Sequence, residues 1–306
     1  MRTRHMIILN IVIVILGVVL LSRQSGSFIA STHVLFDVQL KPLIVAAALY
    51  LCSIAVASLS YLALGWARLR LGPTLLVQIA AGFVNRLLPA GLGGLGIFTV
   101  YLRRQKFSIA DSTALVATNN LLGFVGTIII LLLLWIAGYQ PHFQLPSISP
   151  MAVMIATLVA AVMIVIFVVV SKRRHYAHWR RMLTAFAKSL ALLARPRPRT
   201  VLALIANVLL TIILSAILTF CASAVHGSLS VADAFMILSL GTAVGAVTPT
   251  PGGIGGIEAG LTAGLIAAGL TAEVALSAVL LYRLVTYWLP IVPGIVAFRI
   301  FETHNR

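Results

Sequence analysis

The sequence predicts an all-α polytopic membrane protein, with about six full transmembrane helices and two re-entrant helical hairpins tipped by glycine and proline. Three observations support this fold class: the composition, the length of the apolar runs, and a repeated Pro/Gly motif. Of 306 residues, 61% are hydrophobic and 9% are charged, whereas a soluble domain carries about 25% charged residues. We therefore expect a single transmembrane domain over residues 1–306.

The apolar runs have the length of membrane spans. About 20 apolar residues cross a hydrocarbon core of ~30 Å as a helix, and only helices or closed barrels satisfy their backbone there. The runs cover 6–21, 43–64, 113–137, 151–170, 200–225 and 275–298. Because the first run is short and follows Arg2 and Arg4, a cleaved signal peptide is the alternative to a span at that place.

The basic residues orient the chain. With a cytoplasmic N-terminus, 18 of the 22 Lys and Arg residues lie inside; Arg23 and Lys41 lie outside, and Arg86 and Arg283 lie within the membrane. This distribution follows the positive-inside rule. It predicts a multi-pass protein of the cytoplasmic (inner) membrane with both termini cytoplasmic. The net charge of +16 is thereby explained without a nucleic-acid partner.

Segment 171–199 is a basic cytoplasmic loop with apolar residues at helical spacing. It is either an amphipathic helix attracted to anionic inner-leaflet lipids or a solvated loop that sets the topology. The apolar positions are Trp179, Met182, Leu183, Phe186, Leu190 and Leu193.

Cofactor and catalytic chemistry is not expected. Cys52 and Cys221 lie inside apolar runs, and the seven histidines fall in loops or at termini, so we predict no disulfide, metal site or cofactor. Six acidic residues without an intramembrane histidine offer no nucleophile–base pair, so we do not expect an enzyme.

Two stretches of the chain match without a gap. The segment Pro89-Ala-Gly-Leu-Gly-Gly-Leu95 corresponds to Pro251-Gly-Gly-Ile-Gly-Gly-Ile257, and Ala110-Asp111 corresponds to Ala272-Glu273. We assign the first repeat to about 74–137 and the second to about 232–299. In both copies a span begins near the acidic residue, where Ser108 with Asp111 and Thr271 have the pattern of helix caps.

Each repeat begins with two short segments around its Pro/Gly motif. These segments are 74–88 with 97–106 and 232–248 with 256–268. Three full spans separate the two pairs, so hairpins formed by them enter the membrane from opposite faces and the repeat is inverted. This is the layout of alternating-access transporters, which bind substrate near the midplane. The alternative is that the glycines only allow helices to pack closely.

The hairpin tips predict an anion site. Half-helices starting after Gly94 and Gly256 would present N-terminal amides that suit a phosphate or a carboxylate. The candidate tip residues are Gly91, Gly93, Gly94, Pro251, Gly252, Gly253, Gly255 and Gly256.

Charged and amide side chains near the tips extend this candidate site. Intramembrane Arg86 and Arg283 are costly unless they face a cavity or a partner. In the functional interpretation they bind a substrate phosphate, and Glu258 tunes the site or takes a proton. In the structural interpretation, Glu258 neutralises Arg283 or stabilises its own helix N-terminus. Asn85, with Asn119 and Asn120, either lines the same cavity or forms hydrogen bonds between helices.

These motifs resemble a known family. Asn85-Arg86-x-x-Pro-x-Gly-x-Gly-Gly94 is similar to its first signature, and Thr248-Pro-x-Pro-Gly-Gly-Ile-Gly-x-x-Glu258 with Tyr282-Arg283 and Tyr287-Trp288 is similar to its second. The family is the lysylphosphatidylglycerol synthase transmembrane (flippase-type) family, which includes the membrane domain of the multiple peptide resistance factor. The resemblance implies a flippase that moves a phospholipid, such as an aminoacylated one, to the outer leaflet.

The resemblance also implies partners. We expect a membrane phospholipid substrate and a separately encoded lipid aminoacyltransferase or glycosyltransferase, because no soluble aminoacyltransferase domain is recognised in the chain. The rival interpretation is an accessory subunit or flippase for polyprenyl-phosphate-linked sugars that works with a glycosyltransferase. The sequence is also compatible with a homo-oligomer.

The predicted topology is testable by cysteine labelling in a chain whose Cys52 and Cys221 are replaced by alanine. Because loops 138–150 and 226–230 lack Lys and Arg, cysteines at Ser147 and Ser228 should react with an impermeant thiol reagent in intact cells. A cysteine at Ser189 should stay unreacted until the cells are opened. Labelling of position 189 from outside would contradict the orientation.

Overall fold

The computed structural model describes residues 37–65, 69–88, 92–141, 198–248 and 250–303 of the chain, and the regular elements in these ranges are all helical. The predicted runs 6–21 and 151–170, and segment 171–199 up to residue 197, lie outside the described residues.

The helices follow the predicted segments closely. They are α1 Leu40–Leu64, α2 Leu71–Leu87, α3 Leu92–Arg104, α4 Ile109–Ile136, α5 Pro198–Ala224, α6 Val231–Val247, α7 Gly256–Ala267 and α8 Ala272–Thr303. Of these, α1, α4, α5 and α8 are long and apolar enough to cross a membrane. Four of the six predicted spans are thus confirmed as helices, and the protein is a multi-pass membrane protein.

Side-chain caps define where three of these helices begin. The Ser108 hydroxyl accepts a hydrogen bond from the Asp111 amide (3.0 Å), and Thr271 accepts one from Val274 (3.4 Å). Both caps were predicted from the sequence. A third cap, from the Asp233 amide to Ser230 (3.0 Å), starts α6. Each cap satisfies an N–H group that has no partner within the helix.

The short helices form two hairpins, α2 with α3 and α6 with α7. At the open end of the first hairpin, Thr74 and Tyr101 share a hydrogen bond of 3.0 Å. At its tip, a side chain on Gly93 would place Cβ 2.5 Å from the Val84 carbonyl oxygen. Helix α3 begins at Leu92, earlier than the expected start after Gly94. Glycine at position 93 lets the backbones of α2 and α3 meet at the tip.

The long helices α1 and α5 run antiparallel. The Gln39 amide at the start of α1 donates to the Ala224 carbonyl at the end of α5 (2.9 Å). Near the other end of the pair, Asn207 Nδ2 donates to Ser60 Oγ (2.8 Å). Because α1 precedes the first hairpin and α5 precedes the second, equivalent helices have opposite directions. This is the relation that an inverted repeat requires, and it adds one long helix to the front of each predicted repeat.

Helix α8 is interrupted near its middle. The Leu289 amide donates to the Leu284 carbonyl five residues earlier (2.9 Å), so Leu284–Trp288 forms a π-turn. The second half, Ile291–Thr303, packs against α2. The first half, Ala272–Arg283, contributes Val279 to the core between α5, α6 and α7. One long helix therefore joins both hairpins.

Glycine packing in the second hairpin gives a stability prediction. A Cβ on Gly260 would lie 2.9 Å from the Gly241 Cα of α6, so Gly260→Ala must push two backbones apart. We expect a loss of about 1–3 kcal/mol. The matched control is Gly96→Ala in α3, where a Cβ meets nothing within 4 Å and the helix should gain up to ~1 kcal/mol. Thermal unfolding in detergent measures both, and equal stability of the two variants would contradict the close packing.

Candidate functional site

The tip of the first hairpin is anchored to the middle of two long helices. Arg86, near the end of α2, donates from Nη2 to the Tyr50 hydroxyl of α1 (3.2 Å) and to the Thr286 carbonyl of α8 (2.6 Å). Tyr50 and Thr286 both lie near the midpoint of their helices. The tip therefore reaches about half-way along the helices that are long enough to span a membrane.

The Thr286 carbonyl of α8 has no hydrogen-bond donor within its own helix. In an α-helix, the Thr286 carbonyl would accept from the amide of residue 290, which is a proline and has no N–H. An unpaired carbonyl in an apolar interior is costly. The Arg86 guanidinium supplies the missing donor, and the π-turn turns this face of α8 toward α2. Turns of this type are frequent at functional sites.

Tyr287 lies between the two hairpin tips. Its ring centroid is 5.5 Å from the Arg86 guanidinium carbon and 4.3 Å from that of Arg283. Cations within about 6 Å of an aromatic ring are attracted to its face. From the second tip, Gly252 packs so closely that a Cβ would lie 2.5 Å from the ring, and its φ of +61° is also one that glycine favours. Tyr287 thus contacts both repeats.

Arg283, which is buried, and Glu258, which is partly buried, form an ion pair. Arg283 Nε donates to Glu258 Oε1 (2.6 Å), with side-chain exposures of 7% and 23%. Glu258 Oε2 also accepts from the Gly255 amide at the start of α7 (2.7 Å). The protein's own carboxylate therefore occupies the helix N-terminus where the sequence predicted an external anion. This is the geometry expected if Glu258 neutralises Arg283 and stabilises its own helix N-terminus. A substrate role for Arg283 stays a prediction.

Asn85 plays the corresponding part at the first tip. Its Oδ1 accepts from the Gly94 amide in the first turn of α3 (2.5 Å). The two tips therefore satisfy their helix N-termini differently, by a neutral amide in the first repeat and by a carboxylate in the second. Only the second tip carries its own negative charge.

Arg86 has no carboxylate partner. All six acidic residues of the chain lie in the described ranges, and the ion pairs there join Glu258 to Arg283 and Asp37 to His226. Arg86 donates only to neutral oxygens, including the Gly82 carbonyl (2.5 Å), and its buried Nε has no hydrogen-bond partner. Arg86 is therefore a cation about half-way along the long helices, and its Nε donor is unused.

An apolar cavity of about 430 Å³ borders Arg86. Its wall includes Ile54, Leu214 and Val285. Two further lining residues, Leu51 and Leu289, are 68% and 57% exposed on the outer surface of the helices. The cavity therefore extends from Arg86 to the surface that faces hydrocarbon in a membrane.

A polar cavity of about 360 Å³ adjoins the apolar one. The residues common to both walls are Ala57, Gln78, Gly82 and Leu210. The polar wall carries hydroxyl and amide side chains from both repeats: Ser60, Tyr61, Gln78, Asn85, Asn119, Asn120 and Asn207. The two cavities together form an amphiphilic site, with polar groups at one end and apolar groups at the other.

The predicted site residues divide into three groups. Arg86, Asn85 and Gly94 line these cavities, together with the predicted Asn119 and Asn120. Tyr282 is buried in the core, Gly93 packs against α2, and Gly91 lies outside the described residues. The remaining predicted residues surround the second tip and line neither cavity: Pro251, Gly252, Gly253, Gly255, Gly256, Glu258 and Arg283.

Sequence reasoning missed several lining and contact residues, namely Tyr50, Gln78, Asn207 and Thr286, and it noted Tyr287 only as part of the second signature. Two of them had usable signals. Gln78 and Gly82 precede Arg86 by eight and four residues, so the three share a helix face. Pro290 follows Thr286 by four, which marks its carbonyl as unpaired. Tyr50 and Asn207 had none, because each has apolar neighbours on both sides within a long, mostly apolar run.

Comparison with known families gives one match. The family model described as "Lysylphosphatidylglycerol synthase TM region" matches residues 7–294, a range that contains both hairpins and the lining of both cavities. No curated protein matches the chain.

The ion pair generates a prediction that separates its structural role from substrate binding. Arg283→Ala leaves the Glu258 carboxylate without its cation, so we expect a loss on the order of 3 kcal/mol in the free energy of unfolding. Adding Glu258→Gln removes the unpaired charge while keeping an acceptor for Gly255, and should recover more than half of that loss. Unfolding of the wild type, both single variants and the double variant in detergent measures the coupling. Additive losses would contradict a structural pair.

Proposed function

Because this chain belongs to the family of the lysylphosphatidylglycerol synthase TM region, we propose that it is a translocase for a phosphate-containing membrane lipid. The family points to a function that involves membrane lipids. The observation that carries the proposal is Arg86, a partly buried cation without a carboxylate partner at the wall of an apolar cavity.

Electrostatics supports a phosphate as the missing partner. A cation within the membrane is costly unless a partner or water compensates it, and neutral oxygens compensate a guanidinium only in part. A lipid phosphate beside Arg86 would supply the counter-charge and accept from the unused Nε. Hydrogen bonds between a guanidinium and a phosphate are charge-assisted and among the stronger ones in proteins.

The shape of the site supports a lipid rather than a free anion. The apolar cavity, with Leu51 and Leu289 at its outer edge, can hold an acyl or a polyprenyl chain. The polar cavity suits the headgroup, and Arg86 with Gly82 lies where the two adjoin. This order of apolar, cationic and polar surfaces complements the order of chain, phosphate and headgroup along a phospholipid.

The repeat supports a transport cycle. Helices α2, α3, α6 and α7 have 17, 13, 17 and 12 residues, or roughly 18–26 Å each by helical rise, and are shorter than a hydrocarbon core of ~30 Å. We propose that they are re-entrant hairpins entering from opposite faces of the cytoplasmic membrane, with six full spans around them and both termini cytoplasmic. Rocking of the inverted halves would open the site to each leaflet in turn.

The proposal gives the two arginines different roles. Arg86 holds the phosphate, whereas Arg283 with Glu258 holds the second tip in place against Tyr287. The protein then needs no catalytic group and acts as a transporter rather than an enzyme. Its partners are the substrate lipid, the anionic lipids of the inner leaflet, and an aminoacyltransferase or glycosyltransferase encoded elsewhere.

A second function uses the same site. A non-transporting subunit that presents a polyprenyl-phosphate sugar to a glycosyltransferase also needs a polar pocket beside a phosphate-binding cation. The amide-rich polar cavity favours this candidate. Reconstitution separates the two, because a presenting subunit binds the lipid without moving it between leaflets.

Blocking the apolar cavity tests the proposal. The purified full chain is reconstituted into phosphatidylcholine vesicles that contain phosphatidylglycerol with a fluorophore on one acyl chain, and dithionite reports the fraction reaching the outer leaflet. Leu214→Trp fills the cavity and should slow lipid movement at least about tenfold, an increase of ~1.4 kcal/mol in the barrier.

The matched control is Ile212→Trp, which adds the same ring to an exposed position of α5 outside both cavities. It should move lipid at the wild-type rate. Wild-type protein that moves no lipid, or a Leu214→Trp variant as fast as Ile212→Trp, would end the translocase proposal.

A further inference from the structure

The polar cavity contains no charged side chain among its lining residues. Its hydrogen-bonding groups are the amides of Gln78, Asn85, Asn119, Asn120 and Asn207 and the hydroxyls of Ser60 and Tyr61. Such groups both donate and accept. A headgroup with the same mixed capacity is therefore the best chemical complement to this wall.

No carboxylate of the chain is left to serve a cationic headgroup. The Asp111 and Asp233 carboxylates accept from the capping hydroxyls of Ser108 and Ser230 (2.7 and 2.8 Å). Glu258 caps α7 and pairs with Arg283. The other three are Asp37 before α1, Glu273 in the first turn of α8, and Glu302 near its end. Since the whole chain has only these six acidic residues, none can complete the polar cavity from outside the described ranges.

One buried acceptor in this wall lacks a donor. Gln78 Oε1 is buried and has no hydrogen-bond partner, and Gln78 lines the polar and the apolar cavity alike. Buried polar atoms are normally paired, so an unpaired one at a cavity wall marks a place for a ligand or water donor. Gln78 lies one helical turn before Gly82, whose carbonyl accepts from Arg86, on the same face of α2, so a headgroup attached to a phosphate at Arg86 can extend toward it.

We propose that the headgroup beyond the phosphate is uncharged and rich in hydroxyl groups, such as glycerol, inositol or a sugar, rather than a cationic aminoacyl group. This inference rests on the proposed lipid site. Hydroxyls donate to Gln78 Oε1 and exchange hydrogen bonds with the asparagine amides. A lysyl ester would instead bring ammonium groups into a pocket without an anion beside the Arg86 cation, where desolvation and like-charge repulsion both oppose it.

Binding to the full-length protein in detergent tests this choice independently of transport. The probes are phosphatidylinositol, phosphatidylglycerol, lysylphosphatidylglycerol and phosphatidic acid with identical acyl chains, and the readout is the lipid concentration that gives half of the maximal rise in Tm. We expect the two hydroxyl-bearing lipids to act at concentrations at least about tenfold lower than the other two, a difference of ~1.4 kcal/mol in binding.

Two variants localise the preference. Gln78→Leu and Asn120→Ala each remove a polar group from the wall and should reduce the preference for phosphatidylinositol over phosphatidic acid several-fold. Gln105→Leu makes the same change as Gln78→Leu at a position outside both cavities and should preserve it.

The outcomes are distinct from those of the transport assay. Lysylphosphatidylglycerol binding as tightly as phosphatidylglycerol would overturn the headgroup inference, as would phosphatidic acid binding equally well. Translocation in vesicles would leave the proposed function standing in either case. Selective binding of the hydroxyl-bearing lipids without translocation would support the inference and favour the presenting subunit over the translocase.

Discussion

The arrangement of the two hairpins depends on one hydrogen bond that α8 cannot make for itself. Pro290 has no amide to give to the Thr286 carbonyl, so that oxygen accepts from Arg86 of the first hairpin. The same interruption presents Tyr287, against which Gly252 of the second hairpin packs. Both hairpins therefore contact α8 at the place where its regular hydrogen bonding is interrupted. In an apolar environment an unpaired carbonyl has few alternatives to such a donor, which makes the contact specific.

The two repeats differ in how they handle charge. The second tip is electrically self-contained, because Glu258 both caps α7 and neutralises Arg283. The first tip caps α3 with neutral Asn85 and leaves Arg86 among neutral oxygens. An inverted repeat with identical tips would bind the same ligand twice. The asymmetry instead gives the second repeat an ion pair between Arg283 and Glu258. In the first repeat, Arg86 has a positive charge that an anionic ligand can neutralise.

The polar cavity depends on a small network between three long helices. Ser60 of α1 donates to Asn119 of α4, and Asn207 of α5 donates to Ser60 (2.8 Å) and to the Ala203 carbonyl (2.9 Å). Hydrogen bonds of this kind contribute about 1 kcal/mol between membrane helices. They also hold amides at the cavity wall without a net charge. The polarity of the site therefore comes from groups that join the helices, so the proposed headgroup recognition and helix packing share residues.

The sequence by itself determined the membrane class, the helix positions, the caps at Ser108 and Thr271, and the two Pro/Gly hairpins. These depend on hydrophobicity, on glycine and proline, and on neighbours a few residues apart, all of which are local. Only the tertiary structure decided which polar residues meet. Tyr50 and Asn207 are isolated in apolar runs, yet packing brings one to Arg86 and the other to Ser60. Arg86 and Arg283 are equally intramembrane in the sequence, but only one received a carboxylate. That difference is set by contacts between residues far apart in the chain, which no local pattern encodes.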